Sequence, residues 1–248
     1  MLNAHDIVLG YNNKALVNTF NFSLSKGEIC AVIGHNGSGK TTLVRTLMGL
    51  HFPLSGHFEW HDQKKKDVAY LGQNTLFDSN FPLRVKDVVA MGSWDDLGFW
   101  ASIDQSKADH IDHALIRTGL TAMADRPLYE CSSGQLQRCF FARAIVQNSP
   151  LILLDEPFST IDQTTEAKLV EIIQEWRDEG RAIMIVLHDL SAVMGISDTC
   201  LLLGNGKASY GPTKAIVTTE NLMAHRYLSQ TQADWLTLLQ EQREAGND

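Results

Sequence analysis

Between residues 34 and 42 the chain reads Gly-His-Asn-Gly-Ser-Gly-Lys-Thr-Thr: a glycine, four spacers, then Gly-Lys-Thr. This is the phosphate-loop pattern. Gly34, Gly37 and Gly39, with His35, Asn36 and Ser38 between them, let backbone N–H groups turn inward onto a phosphate. A helix N-terminus just beyond adds partial positive charge. Lys40 is placed to reach the β- and γ-phosphates of a nucleotide, and the hydroxyl of Thr41, next to Thr42, to hold Mg²⁺. A second chemical group closes the run Leu151-Ile152-Leu153-Leu154-Asp155-Glu156. On a buried strand, Asp155 emerges at the carboxyl edge, where ligands of open α/β sheets bind. There it can bind Mg²⁺, directly or through water, while Glu156 polarises the water that attacks a γ-phosphate. Buried strands often end in Asp, so the run alone says little. After a phosphate loop it says a great deal.

The elements that must position these residues are legible as well. Ile29-Cys30-Ala31-Val32-Ile33 is an apolar run suited to a buried strand before the loop. Leu43, Leu47 and Leu50, at i, i+4, i+7, predict a helix after it. Further strand-like runs stand at 67–71, 151–154, 182–187 and 199–203. Helical spacing lies between several of them, as in Leu169, Ile172, Ile173 and Trp176. That alternation predicts an α/β fold with a largely parallel central sheet. Ile7-Val8-Leu9 and Phe20-Asn21-Phe22-Ser23-Leu24 read instead as antiparallel strands. From about 82 to 147 strand signals vanish and helices dominate, as over Asp104 to Arg117 with Ile111, Leu115 and Ile116. The expected organisation is one domain over 1–230. Its α/β core covers about 1–81 and 148–215, a helical subdomain about 82–147, and a helical tail 213–248.

Composition bounds the rest. With 44% hydrophobic and 20% charged residues, the 248-residue chain has the make-up of an ordinary globular protein. A net charge of −8 argues against a nucleic-acid partner, which favours a basic face. Lys64-Lys65-Lys66 reads as a solvated hairpin turn. Cys30, Cys131, Cys139 and Cys200 form no Cys-x-x-Cys pair and suit a reduced compartment. The longest uninterrupted aliphatic run, Ala182 to Leu187, is far shorter than the ~20 residues of a spanning helix. The first residues lack the pattern of a signal peptide, so no leader is expected.

Cys131-Ser132-Ser133-Gly134-Gln135-Leu136-Gln137-Arg138 precedes the acidic strand end, and here the chain resembles the ATP-binding cassette (ABC) ATPases, whose signature is Leu-Ser-Gly-Gly-Gln. The resemblance runs from about residue 2 to 230 and implies a P-loop fold of ABC type: a mixed sheet with an antiparallel part and a helical subdomain. It makes Tyr11 the aromatic that stacks on adenine. Gln73 becomes the residue that couples Mg²⁺ to the transport partner, Ser159-Thr160-Ile161-Asp162 the D-loop, and His188 the contact to the γ-phosphate. ATP and Mg²⁺ are the implied ligands. Two cassettes, expected as a homodimer, would pair head to tail, with Ser132, Ser133, Gly134 and Gln135 of one closing over nucleotide held by the other.

Two signature positions depart from the family, Cys131 for leucine and Ser133 for glycine. If the family's glycine needs φ > 0, a side chain at 133 hinders closure. With Ser132, Gly134 and Gln135 kept, Ser133 is expected to be tolerated. Phe81-Pro82-Leu83-Arg84-Val85-Lys86-Asp87-Val88-Val89-Ala90-Met91-Gly92 is similar to the ATPases of zinc, manganese and iron-chelate importers. That similarity implies integral-membrane permease subunits, an extracytoplasmic substrate-binding protein, and a peripheral place on the cytoplasmic face of the membrane. The alternative is a non-transport ABC ATPase acting on ribosomes, DNA or a protein assembly. Phe77, Phe81, Pro82, Trp94, Leu97, Phe99 and Trp100 are candidates for a permease-docking surface. His57 with His61, and His110 with His113, lack a further convergent ligand and are read as solvent-facing, not as metal sites.

Overall fold

The computed structural model describes residues 1–61, 67–72, 82–96, 104–159 and 161–232. The chain divides into two compact units. One is Met1–Ser25 with Ile29–Asp62 and Val186–Asp248; the other is Lys26–Glu28 with Gln63–Ile185.

In the first unit β1 (Leu2–Tyr11) pairs antiparallel with both β2 (Lys14–Leu24) and β4 (Ser55–Trp60), giving the order β2-β1-β4. Leu2, Ala4, Ile7 and Leu9 of β1 turn inward beside Phe20, Phe22 and Leu24 of β2. The β1–β2 turn is Asn12-Asn13, both at positive φ (48° and 61°), as a tight hairpin between twisted strands requires. β3 (Ile29–Ile33) is buried along its whole length and runs parallel to β8 (Thr199–Gly204). Burial on both faces explains its unbroken apolar run. β9 (Lys207–Pro212) returns antiparallel to β8 through Asn205-Gly206, at φ 53° and 73°. This unit also holds α1 (Lys40–Leu47), α6 (Leu190–Ile196), α7 (Thr213–Ile216) and α8 (Thr219–Ala224).

The second unit places β5 (Val68–Leu71) parallel to β6 (Leu151–Asp155), with β7 (Ala182–Val186) on the other side of β6. Every residue of β6 and β7 is buried. Its helices are α2 (Val85–Ala90), α3 (Gln105–Arg117), α4 (Ser133–Gln147) and α5 (Gln163–Asp178). Leu169, Ile172, Ile173 and Trp176 of α5 are all buried, and the Trp176 ring stacks on Phe141 of α4 at 5.5 Å between centroids. Between 82 and 147 the described residues carry no strand beyond one isolated bridge, Arg84 to Pro127.

Two helix-face expectations fail. Leu50 is outside α1 and 64% exposed: Gly49 takes φ 75° and the Leu50 N–H returns to the Arg45 carbonyl, so the helix ends one turn early. Ile116 points to solvent while Ile111 and Leu115 form the buried stripe of α3, which is narrower than the spacing suggested.

Candidate nucleotide-binding site

The phosphate loop joins β3 to α1 in a shape that only its glycines permit. Gly37 and Gly39 adopt φ 80° and 107°. At Gly34 a β-carbon would lie 2.3 Å from the Leu203 carbonyl oxygen and 2.4 Å from Ser38 Oγ. Gly39 caps α1 without a side chain, and the first turn contains no acidic residue, so the helix N-terminus keeps its positive end for an anion. Lys40 is buried, and its ammonium donates to the carbonyls of Gly34 at 2.6 Å and His35 at 3.2 Å. Ser38 is buried, and among the described residues its hydroxyl finds no hydrogen-bond partner. A cleft of about 320 Å³ flanks the loop, lined by Leu16, His35, Gly37, Ser38, Asn205, Gly206 and Arg226. Asn205 and Arg226 were not foreseen as neighbours of the loop, because their place depends on the β8–β9 turn and the α8 terminus.

Tyr11 ends β1 and is 58% exposed, with His51 edge-on to its ring at 6.0 Å and 87°. An exposed aromatic face is what a purine needs to stack. His188 follows β7 and is exposed; its carbonyl accepts from Tyr227 Oη at 2.5 Å. Asp189 beside it caps α6, accepting from the Ser191 N–H at 2.7 Å.

In the second unit Asp155 lies at the end of β6 and is only 7% exposed. Tyr70 donates to its Oδ2 at 3.4 Å, a contact with no signal in the sequence. Glu156 follows at φ 53°, the left-handed region that a side chain with a long stem enters only at a cost. Backbone strain of this kind concentrates at functional positions. On the donor chemistry, a buried carboxylate such as Asp155 and a hydroxyl such as Thr41 are the hard oxygens that Mg²⁺ takes.

The signature residues start α4. Ser132 is the N-cap: its Oγ accepts from the Gln135 N–H at 3.3 Å, and Gln135 Oε1 accepts from the Ser132 N–H at 2.9 Å. Gln135 thus acts locally as half of a capping box. Ser133 is the first residue of the helix and is not among the positive-φ residues, so its side chain causes no backbone strain. A β-carbon on Gly134 would meet nothing nearer than Ile161 Cγ2 at 3.7 Å. Among the described residues of this unit nothing demands glycine there. Asp162 caps α5, accepting from the N–H and the hydroxyl of Thr165, each at 2.9 Å. Those two bonds hold its carboxyl below the usual carboxylate range.

Gln73, Thr160 and the Lys64–Lys66 cluster lie outside the described residues, as do Phe77, Phe81, Leu97, Phe99 and Trp100. His110 and His113 are exposed, and His57 stacks on His5 at 5.2 Å. Among the described residues no group of three or more His, Cys, Asp or Glu side chains is arranged to hold a metal ion.

A glycine-shaped phosphate loop on a buried parallel strand, with an acidic strand end elsewhere in the chain, defines a P-loop nucleotide-binding α/β protein. Residues 17–159 match the profile of the ABC transporter family. The chain belongs to that family, as an ATP-binding and ATP-hydrolysing subunit. Over 213 residues it is 39% identical to a probable metal transport system ATP-binding protein of Chlamydia pneumoniae, covering 84% of this chain and 82% of that protein. It is 32% identical over 221 residues to the manganese transport system ATP-binding protein MntB of Bacillus subtilis, covering 88% of each. An inward-facing ABC transporter described as of metal-chelate type superposes with a TM-score of 0.82 at 31% identity, over 92% of this chain and 89% of that one.

Proposed function

We propose that the chain is the ATPase of a membrane importer for a metal ion (zinc, manganese or iron) or a metal chelate, working as a head-to-tail pair of cassettes on the cytoplasmic face of the membrane. Relatives that serve metal and manganese transport systems support the cargo class over a non-transport ATPase. Permease subunits and an extracytoplasmic binding protein complete the proposed system. The observation that carries the reading is the phosphate loop, with its uncapped helix N-terminus and its buried lysine.

In this reading Tyr11 stacks on adenine, and the loop from Gly34 to Thr42 wraps the phosphates. Lys40 exchanges its loop carbonyls for phosphate oxygens as nucleotide arrives. Thr41, Asp155 and, through its coupling role, Gln73 hold Mg²⁺, which neutralises phosphate charge when bound. Glu156 orients the attacking water and accepts its proton, while His188 contacts the γ-phosphate. Ser132, Ser133 and Gly134 of the second copy close the site from a helix N-terminus, beside Gln135 and near the D-loop residue Asp162. The room around Gly134 agrees with a glycine kept for the approach of something outside its own unit.

The test is a pair of variants. Glu156→Gln removes the proton acceptor and keeps the nucleotide contacts, so turnover should fall by about 10²–10⁴ while ATP accumulates a stable dimer in sedimentation. Lys40→Ala should lose nucleotide binding itself. Parent-rate hydrolysis by the Glu156→Gln protein would overturn the assignment.

A further inference from the structure

Strand β5 does more than lead toward Gln73. Its outward carbonyls at Val68 and Tyr70 accept from two α4 side chains one helical turn apart, Gln147 Nε2 at 3.2 Å and Arg143 Nη2 at 2.9 Å. The Tyr70 backbone is therefore tied to the signature helix. Its side chain faces the other chemistry of this unit: Tyr70 Oη donates to Asp155 Oδ2 at 3.4 Å. Two residues further on, a β-carbon on Gly72 would lie 2.6 Å from Tyr70 Oη, 2.8 Å from Cζ and 2.9 Å from Cε1. The phenol lies across the bare α-carbon of Gly72. No residue with a side chain leaves the ring where it is.

We propose that Tyr70 is a positioning residue for the Asp155 carboxylate, and that Gly72 is a glycine so that the phenol can reach it. The inference rests on the Mg²⁺ role given above to Asp155. A carboxylate turns freely about its last torsion, whose energy surface is broad. A donor on Oδ2 restricts that freedom, and at 3.4 Å it does so weakly. Partners that hold a metal-binding carboxylate in this way are worth roughly 10–100-fold in metal affinity. A bond of 3.4 Å belongs at the low end of that range.

The experiment compares the full-length parent with Tyr70→Phe, Gly72→Ala and the double variant. Binding of the non-hydrolysable analogue AMP-PNP is measured by calorimetry, with Mg²⁺ and again in EDTA. Phenylalanine keeps the ring over Gly72 and removes only the donor. It should weaken Mg²⁺-dependent binding about tenfold and leave binding in EDTA unchanged. The Mg²⁺ concentration needed for half-maximal hydrolysis should rise by a similar factor, with turnover recovered at saturating Mg²⁺. Gly72→Ala displaces the hydroxyl by a different route and should act in the same direction. The double variant should be no worse than the more severe single one, because both changes remove one interaction. Equal losses with Mg²⁺ and in EDTA, additive losses in the double variant, or an unmoved Mg²⁺ dependence in Tyr70→Phe would each overturn the role of Tyr70. If the parent itself binds AMP-PNP no better with Mg²⁺, the Mg²⁺ role of Asp155 falls, and this inference with it.

Discussion

Glu156 combines the residue type that its proposed chemistry needs with a backbone conformation its side chain disfavours. At φ 53° it lies where Asn is tolerated far better than Glu. Glu156→Asn should therefore relieve about 1 kcal/mol of strain and raise Tm by roughly 2–4 °C, while hydrolysis is lost. Scanning calorimetry beside an ATPase assay checks this trade, and an unchanged or lower Tm would show that Glu156 stores no strain. The cysteines carry a pH prediction. Burial pushes the thiols of Cys139 and Cys200 up to about 12, and desolvation also raises Cys131, which is only part-buried. Thiolate is the reacting form, so at pH 8 the native protein should be alkylated slowly at Cys131 and hardly at all at the other two. Reactivity of native Cys131 should climb with pH until its raised pKa is passed. Mass spectrometry of alkylated peptides, with and without denaturant, reads each site; fast native labelling of Cys139 would contradict the burial.

Among elements, α4 is joined to β5, the strand beside the acidic strand end, by side-chain hydrogen bonds. Arg143 reaches the Tyr70 carbonyl and lies 5.7 Å from the Phe140 ring centre, and burial lowers its pKa from the ordinary value. Gly92 packs so closely on α4 that a β-carbon would stand 2.4 Å from the Arg143 carbonyl oxygen. Arg143→Ala leaves the Tyr70 carbonyl without this donor and removes packed stem, so a loss of about 2–3 kcal/mol is expected in urea unfolding. Arg143→Lys should recover only part of it, since an ammonium lacks the planar fork; full recovery would reduce the joint to simple charge. None of this joint can be read from spacing, because it depends on which helix covers the edge of β5. The phosphate loop, the buried strands β3, β6, β7 and β8, and the α5 stripe were legible because each is a local apolar or glycine pattern. β9 carries its own local signal in Asn205-Gly206, a strong hairpin turn. β4 gives weaker notice: Ser55 to His57 are exposed, and Gly56 sits at its start with φ 82°. Signature roles came from resemblance alone, and the capping duties of Ser132, Gln135 and Asp162 emerged only with the helix starts.

At the scale of the whole molecule, the proposed importer role requires that nucleotide-driven motion leave this chain through a protein contact. No described helix is long and apolar enough to cross a membrane. Of the aromatic residues expected at a docking surface, Trp94 is described, and it is 60% exposed in the short 3₁₀ helix Met91–Asp96. A tryptophan 60% exposed leaves most of its apolar surface unused by the fold, whereas at an interface it is among the side chains that dominate binding energy. Val85, Val88 and Val89 of the preceding helix α2 are buried while Trp94 is exposed, so truncating Trp94 removes no residue of that core. Trp94→Ala should keep the Tm within about 1 °C and keep ATPase activity of the isolated subunit, in line with a surface substitution. Co-purification with the permease in detergent, or transport in reconstituted vesicles, should fall at least tenfold, the scale of a binding anchor lost. Phe81→Ala, at a position outside the described residues, extends the test along the chain. If Trp94→Ala loses ATPase activity together with assembly, Trp94 serves the cassette itself. If it assembles and transports at the parent level, the permease docks on another face.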